Sequence, residues 1–169
     1  MKYLCLIRHA KSSWDNLELD DFDRPLNSRG EKDAPLMGRR LKKKGFVPDI
    51  ILTSPAKRAL ETCLVISAIL EFDVNKIIQQ KNLYHASEDE LLNIVRAIKD
   101  RAGDEEENVL LFGHNSGLTV FANRLTNGAI PNIPTTGIVV IQLSIEKWKF
   151  AEWGCGELIS FDFPKSKDD

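Results

Sequence analysis

Long apolar runs are missing from this chain. None approaches the roughly 20 residues that a bilayer-spanning helix needs. Only Tyr3 to Ile7 separate Lys2 from Arg8, too short a run for the core of a secretory signal. Cysteine is sparse: Cys5, Cys63 and Cys155 are odd in number, scattered and without metal-ligand spacing. That usage suits reduced thiols in a cytoplasmic protein better than a disulfide framework, with Cys5 and Cys63 as small buried hydrophobes inside apolar patterns. A basic excess is missing as well. With a formal net charge of -2, the chain lacks the electrostatic footprint of a nucleic-acid binder. Internal repeats, low-complexity tracts and linkers are also absent. What remains is 169 residues, 43% hydrophobic and 28% charged, long enough for a real core and best read as one domain over 1–169.

Apolar strand patterns alternate with helical ones, which points to an α/β fold. Lys2 to Ile7 reads as a first strand, and the polar stretch Lys11 to Ser28 is too long for a tight connection, so it is expected to lie over an edge of the site. A helix is expected from about Gly30 to Lys44, with Gly45 just past its end. The cations Arg39 to Lys44 suit the negative end of the helix dipole, with a docking patch as the alternative. Asp49 to Leu52 predicts a strand, and Ser54-Pro55 reads as N-cap and first residue of a helix to about Phe72. Ile77-Ile78 marks a third strand. Ser87 to Glu90 has the form of a capping box, opening a helix to about Arg101. The acidic run Asp104 to Glu107 is expected to be a solvated turn. Val109 to Phe112 is a strand, followed by a helix from about Ser116 to Leu125. Gly137 to Ser144 and Trp148 to Trp153 read as two further strands, and the charged tail after Pro164 as frayed.

Three of the strand patterns deliver cationic or potentially cationic side chains just past their C-terminal ends. They are Arg8-His9, the segment Ser54-Pro55-Ala56-Lys57-Arg58, and Gly113-His114-Asn115-Ser116-Gly117. In an open α/β sheet that edge is where ligands bind. Guanidinium forks match phosphate oxygens bidentately, and an imidazole can attack phosphorus to form a phosphohistidine that water later cleaves. On this reading Arg8 and Arg58 are clamps, His9 is the nucleophile and His114 a second donor to the phosphoryl group. Ser12 is a further candidate for contact with phosphate, or else a loop-stabilising hydroxyl. Arg24 reads as a surface ion-pair partner of Asp21 or Asp23, and Trp14, Trp148 and Trp153 as packing. A zinc site on His9, His85 and His114 is disfavoured, because Arg8 and Arg58 would set positive charge beside the metal.

Arg8-His9-Ala10-Lys11-Ser12-Ser13-Trp14 resembles the opening motif of the histidine phosphatase superfamily, the phosphoglycerate-mutase-like proteins. Ser54-Pro55-Ala56-Lys57-Arg58-Ala59-Leu60-Glu61-Thr62 resembles its second motif, and Gly113 to Leu118 its third. Pro25-Leu26-Asn27-Ser28-Arg29-Gly30 is similar to the segment before the first long helix of that superfamily. The motifs fall in order over most of the chain. The compact length, the Ala after His9 and Pro134-Thr135-Thr136 resemble the SixA-type branch, associated with phosphohistidine on proteins. The resemblance implies a three-layer α/β/α sandwich around a mostly parallel central sheet, a phosphoenzyme on His9, a pocket of Arg8, His9, Arg58 and His114, and no metal or other cofactor.

One departure stands out. Many superfamily members carry a Glu after the third strand that protonates the leaving oxygen. Here that stretch reads Asn82-Leu83-Tyr84-His85-Ala86, with His85 in the place of the acid as a possible proton donor. An alkoxide leaves poorly unprotonated, whereas a phosphorylated imidazole protonated on its other nitrogen departs as a neutral ring. The missing carboxyl therefore favours a phosphorylated protein, such as a phosphotransfer domain, as substrate. Small phosphate esters, and a non-catalytic phosphate-binding module, are the alternatives. A mutase would need a water-excluding lid for which the chain has little length to spare. Neither nucleic acid nor membrane is an expected partner.

Overall fold

The structure is a computed structural model that describes residues 1–103 and 106–166. Six strands form one sheet: β1 (Lys2–Arg8), β2 (Ile50–Thr53), β3 (Ile78–Gln79), β4 (Glu107–Gly113), β5 (Ile138–Leu143) and β6 (Gly156–Asp162), in the order β3-β2-β4-β1-β5-β6. The pairings β3–β2, β2–β4 and β4–β1 are parallel, and those of β5 with β1 and β6 are antiparallel. Four helices cover the sheet: α1 (Ser28–Lys43), α2 (Lys57–Ile69), α3 (Glu88–Arg96) and α4 (Gly117–Thr126). The mixed α/β architecture with a mostly parallel sheet is the one expected.

Alternation along the central strands makes the layers. Leu4 and Leu6 of β1, with Val109 and Leu111 of β4, pack against Leu91, Val95, Leu118 and Phe121 of α3 and α4. Their neighbours Cys5, Ile7, Leu110 and Phe112 face Met37, Leu41, Cys63 and Ile66 of α1 and α2. Strands buried on both faces read as continuous apolar runs, as these do. Cys5 and Cys63 are fully buried there, and burial pushes both thiols up, Cys63 to about 11.

Helix signals were legible in part. The side chain of Asn27 accepts from the Gly30 N–H to open α1, and Gly45 sits in the left-handed region (φ 80) just past its end. The Ser87–Glu90 capping box is present, but α3 stops at Arg96 rather than near Arg101. Ser54 and Pro55 do not begin α2. Ala56 stands at its cap without a side-chain hydrogen bond, and Ser54 is diverted to the site described below.

The Trp148–Trp153 strand is a misreading. Trp148–Phe150 is a single 3-10 turn, and the last strand starts after Gly154, at Gly156. The large rings of Trp148, Phe150 and Trp153 imitated a strand. In fact Trp148 is swallowed whole, its Nε1–H donating to Glu107, and Trp153 packs edge-on against Phe121. Glu107 is accordingly no solvated turn residue: it is fully buried in β4 beside Lys2, while Asp104 and Glu105 lie outside the described residues. Of the tail after Pro164 only Lys165 and Ser166 are described; Ser166 is tied back, its N–H and hydroxyl donating to Phe163 O, and 167–169 lie outside the description. Arg40 and Lys44 of the basic run pair with Asp162, and Lys42 with Glu71.

Candidate active site

β1, β2 and β4 run parallel, so their C-terminal ends open on one edge, and a cavity of about 300 Å³ lies there. Its lining includes Arg8, His9, Ser12, Arg58, His85 and His114. His9 follows β1 directly. Its backbone N–H donates to Gly113 O at 3.2 Å, and the Thr136 N–H donates to the carbonyls of both Arg8 and His9 at 3.1 Å. Thr136 holds this position with a left-handed backbone (φ 61), an uncommon and costly state for a β-branched residue. The loop after His9 is tied to α2 by Thr62, whose Oγ1 accepts from the Ala10 N–H at 2.9 Å and donates to Arg58 O at 2.7 Å.

His9 Nδ1 lies 2.8 Å from the Ala10 carbonyl, so Nδ1 carries the proton and Nε2 keeps its lone pair. Burial lowers the imidazolium pKa to about 4, with Arg58, Arg8 and Arg24 adding to the effect. His114 approaches to a ring-centroid separation of 5.2 Å and is lowered to about 2, by burial first and then by His9 and Arg58. Ser54 Oγ accepts from the Ala56 N–H and lies 2.8 Å from His114 Nε2. Its own hydrogen is then free for Nε2, which leaves Nδ1–H as a donor. Nδ1 of His114 and Nε of Arg8 and Arg58 are buried without a partner among the described residues. Buried donors of this kind are costly unless an acceptor enters. A phosphoryl group carries the oxygens they lack. Arg8 is held by Ile133 O at 3.0 Å, and burial with Arg58 alongside lowers its pKa.

The loop from Lys11 to Asn27 adds what sequence reading missed. A one-turn 3-10 segment, Asp21–Asp23, places the Asp21 carboxylate on the cavity rim. Asp21 Oδ2 accepts from Arg58 Nη2 at 2.9 Å and Tyr84 Oη at 2.5 Å, and lies 3.2 Å from His85 Nε2. Arg24 donates to Oδ1 through Nη2 at 2.9 Å and Nε at 3.2 Å. Burial opposes ionisation, but the bonds from Tyr84, Arg24 and Arg58 outweigh it and hold the carboxyl well below the usual carboxylate range.

The expected Arg24–Asp21 ion pair is present, but Arg24 is not at the surface. It is buried, donates to Ser12 Oγ at 2.8 Å and lies under the exposed Trp14 ring at 3.6 Å, so Trp14 also belongs to the site rather than to packing. Ser12 reaches the cavity with its hydroxyl hydrogen still available. His85 stands on the rim, stacked on Tyr84 at 4.0 Å, with a left-handed backbone (φ 55). Glu88, Asp89 and Glu90 do not line the His9 cavity. The signal for Asp21 and Arg24 was their i, i+3 spacing, which predicted the ion pair but not its place on the cavity. Among the described residues, no three His, Cys, Asp or Glu side chains are placed to share a metal ion, and no helix is long and apolar enough to cross a membrane.

A mostly parallel sheet whose strand ends carry guanidinium and neutral imidazole groups into one cavity defines an α/β protein suited to a tetrahedral oxyanion. The chain belongs to the histidine phosphatase superfamily: residues 4–85 match the profile of its branch 1. An uncharacterised protein of Mycobacterium leprae is 32% identical over 94% of this chain and 100% of its own length. Among solved structures, the SixA-designated phosphohistidine phosphatase of Agrobacterium tumefaciens is 25% identical, with a TM-score of 0.74 over 94% of this chain and 96% of that one. The protein histidine phosphatase SixA complexed with tungstate shares the fold at a TM-score of 0.79 and 20% identity, over 96% and 97%. Membership and the likeness to the Agrobacterium structure support a histidine-dependent phosphatase, and the tungstate complex shares the fold.

Proposed function

We propose that this chain is a metal-independent phosphatase that works through a phosphohistidine on His9 and takes phosphohistidine on a protein, such as a phosphotransfer domain, as its substrate. The observation that carries the reading is the 2.8 Å contact of His9 Nδ1 with its neighbouring carbonyl, which turns the unprotonated Nε2 into the nucleophile. Nε2 attacks phosphorus, the bond to the leaving group breaks, and water later cleaves the phosphoenzyme. Arg8, Arg58 and His114 Nδ1–H hold the equatorial oxygens as charge develops on them, and Ser12 adds a hydroxyl donor. No step calls for a metal or another cofactor. His85 is the residue in reach of the leaving group at the position where a carboxylic acid is missing, which favours an imidazole over an alkoxide as leaving group. The buried thiols Cys5 and Cys63 suit a reducing, cytoplasmic setting, and the 169 residues act as one domain.

Mixing the protein with a radiolabelled phosphohistidine protein and quenching tests this. We expect an acid-labile, alkali-stable label on the enzyme that is lost in His9→Ala, and faster turnover of that substrate than of phosphate esters. Equal or better rates on esters would reassign the substrate to small phosphate esters with the same mechanism. Absence of both label and turnover would leave a phosphate-binding module.

A further inference from the structure

We infer that Asp21 selects the leaving group: its ionised carboxylate takes the distal N–H of the substrate's phosphohistidine ring, at the place where the protein's own His85 now stands. The inference rests on the phosphatase reading above and names the group that makes it specific for a phosphoramidate.

The direction of departure is set by the site's depth. His9 is 7% exposed and forms the floor, whereas the Asp21 and His85 side chains are 40% and 55% exposed and form the mouth. In-line displacement sends the leaving group away from Nε2, towards that mouth. The groups that face the Asp21 carboxylate there are Arg24, Arg58, Tyr84 and His85. Two guanidinium groups and a phenol keep it ionised. The fourth contact, 3.2 Å from His85 Nε2, is the longest to Oδ2 and comes from the most exposed partner. It is also an imidazole nitrogen on a carboxylate, the same contact that a substrate ring would make. The His85 ring is exposed, and yielding its place gives up the Asp21 contact and its approach to the Tyr84 and His114 rings.

The chemistry follows without any proton transfer. The His9 Nε2 lone pair forms the new N–P bond. The P–N bond to the substrate ring breaks, and its electron pair stays on that ring nitrogen. The distal nitrogen keeps its proton, hydrogen-bonded to Asp21, so the ring leaves neutral. An alkoxide in the same position would need a proton that ionised Asp21 does not hold. Asp21 thus favours the cationic phosphoimidazole and gives an alkyl ester nothing.

The test compares kcat/KM for a phosphohistidine protein and for p-nitrophenyl phosphate, whose phenolate leaves without an acid. In Asp21→Asn we expect the ratio to fall at least about tenfold, the loss of one charge-assisted hydrogen bond, with partial recovery in Asp21→Glu. A role confined to positioning Arg58 and Arg24 would lower both substrates together, and an unchanged ratio overturns the inference. His85→Ala removes the competing ring and should raise kcat/KM for phosphohistidine; a collapse there would make His85 the proton donor and also overturn it. Absence of a label on His9 in the unmodified protein would instead remove the phosphatase reading itself, and the inference with it.

Discussion

His9 and His114 are neutral for the same reason: each imidazole is buried near guanidinium groups, where a further positive charge is unfavourable. The consequence for stability has a definite sign. Free imidazole titrates near roughly 6.5, and the folded values are about 4 and about 2. Below the free value the unfolded chain binds protons that the native state refuses. The stabilising contribution is thus complete above about pH 6.5 and declines as pH falls towards the folded values. Each ring should cost about 2 kcal/mol between pH 6.5 and 5. Urea titrations at the two pH values should show the decline, and His114→Asn should flatten it by about half. The depressed Asp21 pKa acts below the ordinary carboxylate range, outside this window. In catalysis, Arg58→Ala and His114→Ala should each cost about 3 kcal/mol of transition-state stabilisation, read as kcat/KM on a phosphohistidine protein. An unchanged rate in either variant removes that residue from the phosphoryl cage.

At the scale of elements, two close approaches hold the site's loops to the helices. A Cβ on Gly30, in the first turn of α1, would come within 2.2 Å of the Lys11 carbonyl, and one on Gly117, at the start of α4, within 2.0 Å of Ala86 O. Neither neighbour is a flexible side chain, so backbone must move. Gly30→Ala should cost about 1–3 kcal/mol in a denaturant titration and lower activity, because Lys11 lies two residues beyond His9. Normal activity with full stability would show that the loop re-seats freely. Pattern and cap chemistry made α1, the start of α3 and the central strands legible, since those depend on near neighbours. Ser54 was not legible, because its hydroxyl serves His114, sixty residues along the chain, and not the helix it precedes. Trp148 misled for a similar reason: its ring is buried against β4 and not paired along β5.

For the whole molecule, the end of the sheet opposite the cavity carries a buried polar cluster. Lys2 lies 3.2 Å from Asp100 and 3.9 Å from Glu107, and Glu107 also takes the Trp148 indole N–H and the Arg101 backbone N–H. Glu107→Ala would strand the indole and leave the buried Lys2 with Asp100 alone, and should destabilise the fold by about 3–5 kcal/mol. Chemical denaturation measures this; a loss under 1 kcal/mol would mean that Asp100 alone satisfies Lys2. The sequence by itself determined the strand ends and the residues they carry. A buried strand must be apolar and its last residues must meet the ligand edge; Arg8, His9 and His114 stand at those ends and Arg58 in the first turn of α2, all in local motifs. Tertiary structure alone decided that Asp21 crosses to Arg58, Tyr84 and His85, that Arg24 is buried under Trp14, and that Glu107 lies in the core. Those pairings join residues far apart in the chain, and a carboxylate is written the same way whether water or a guanidinium surrounds it.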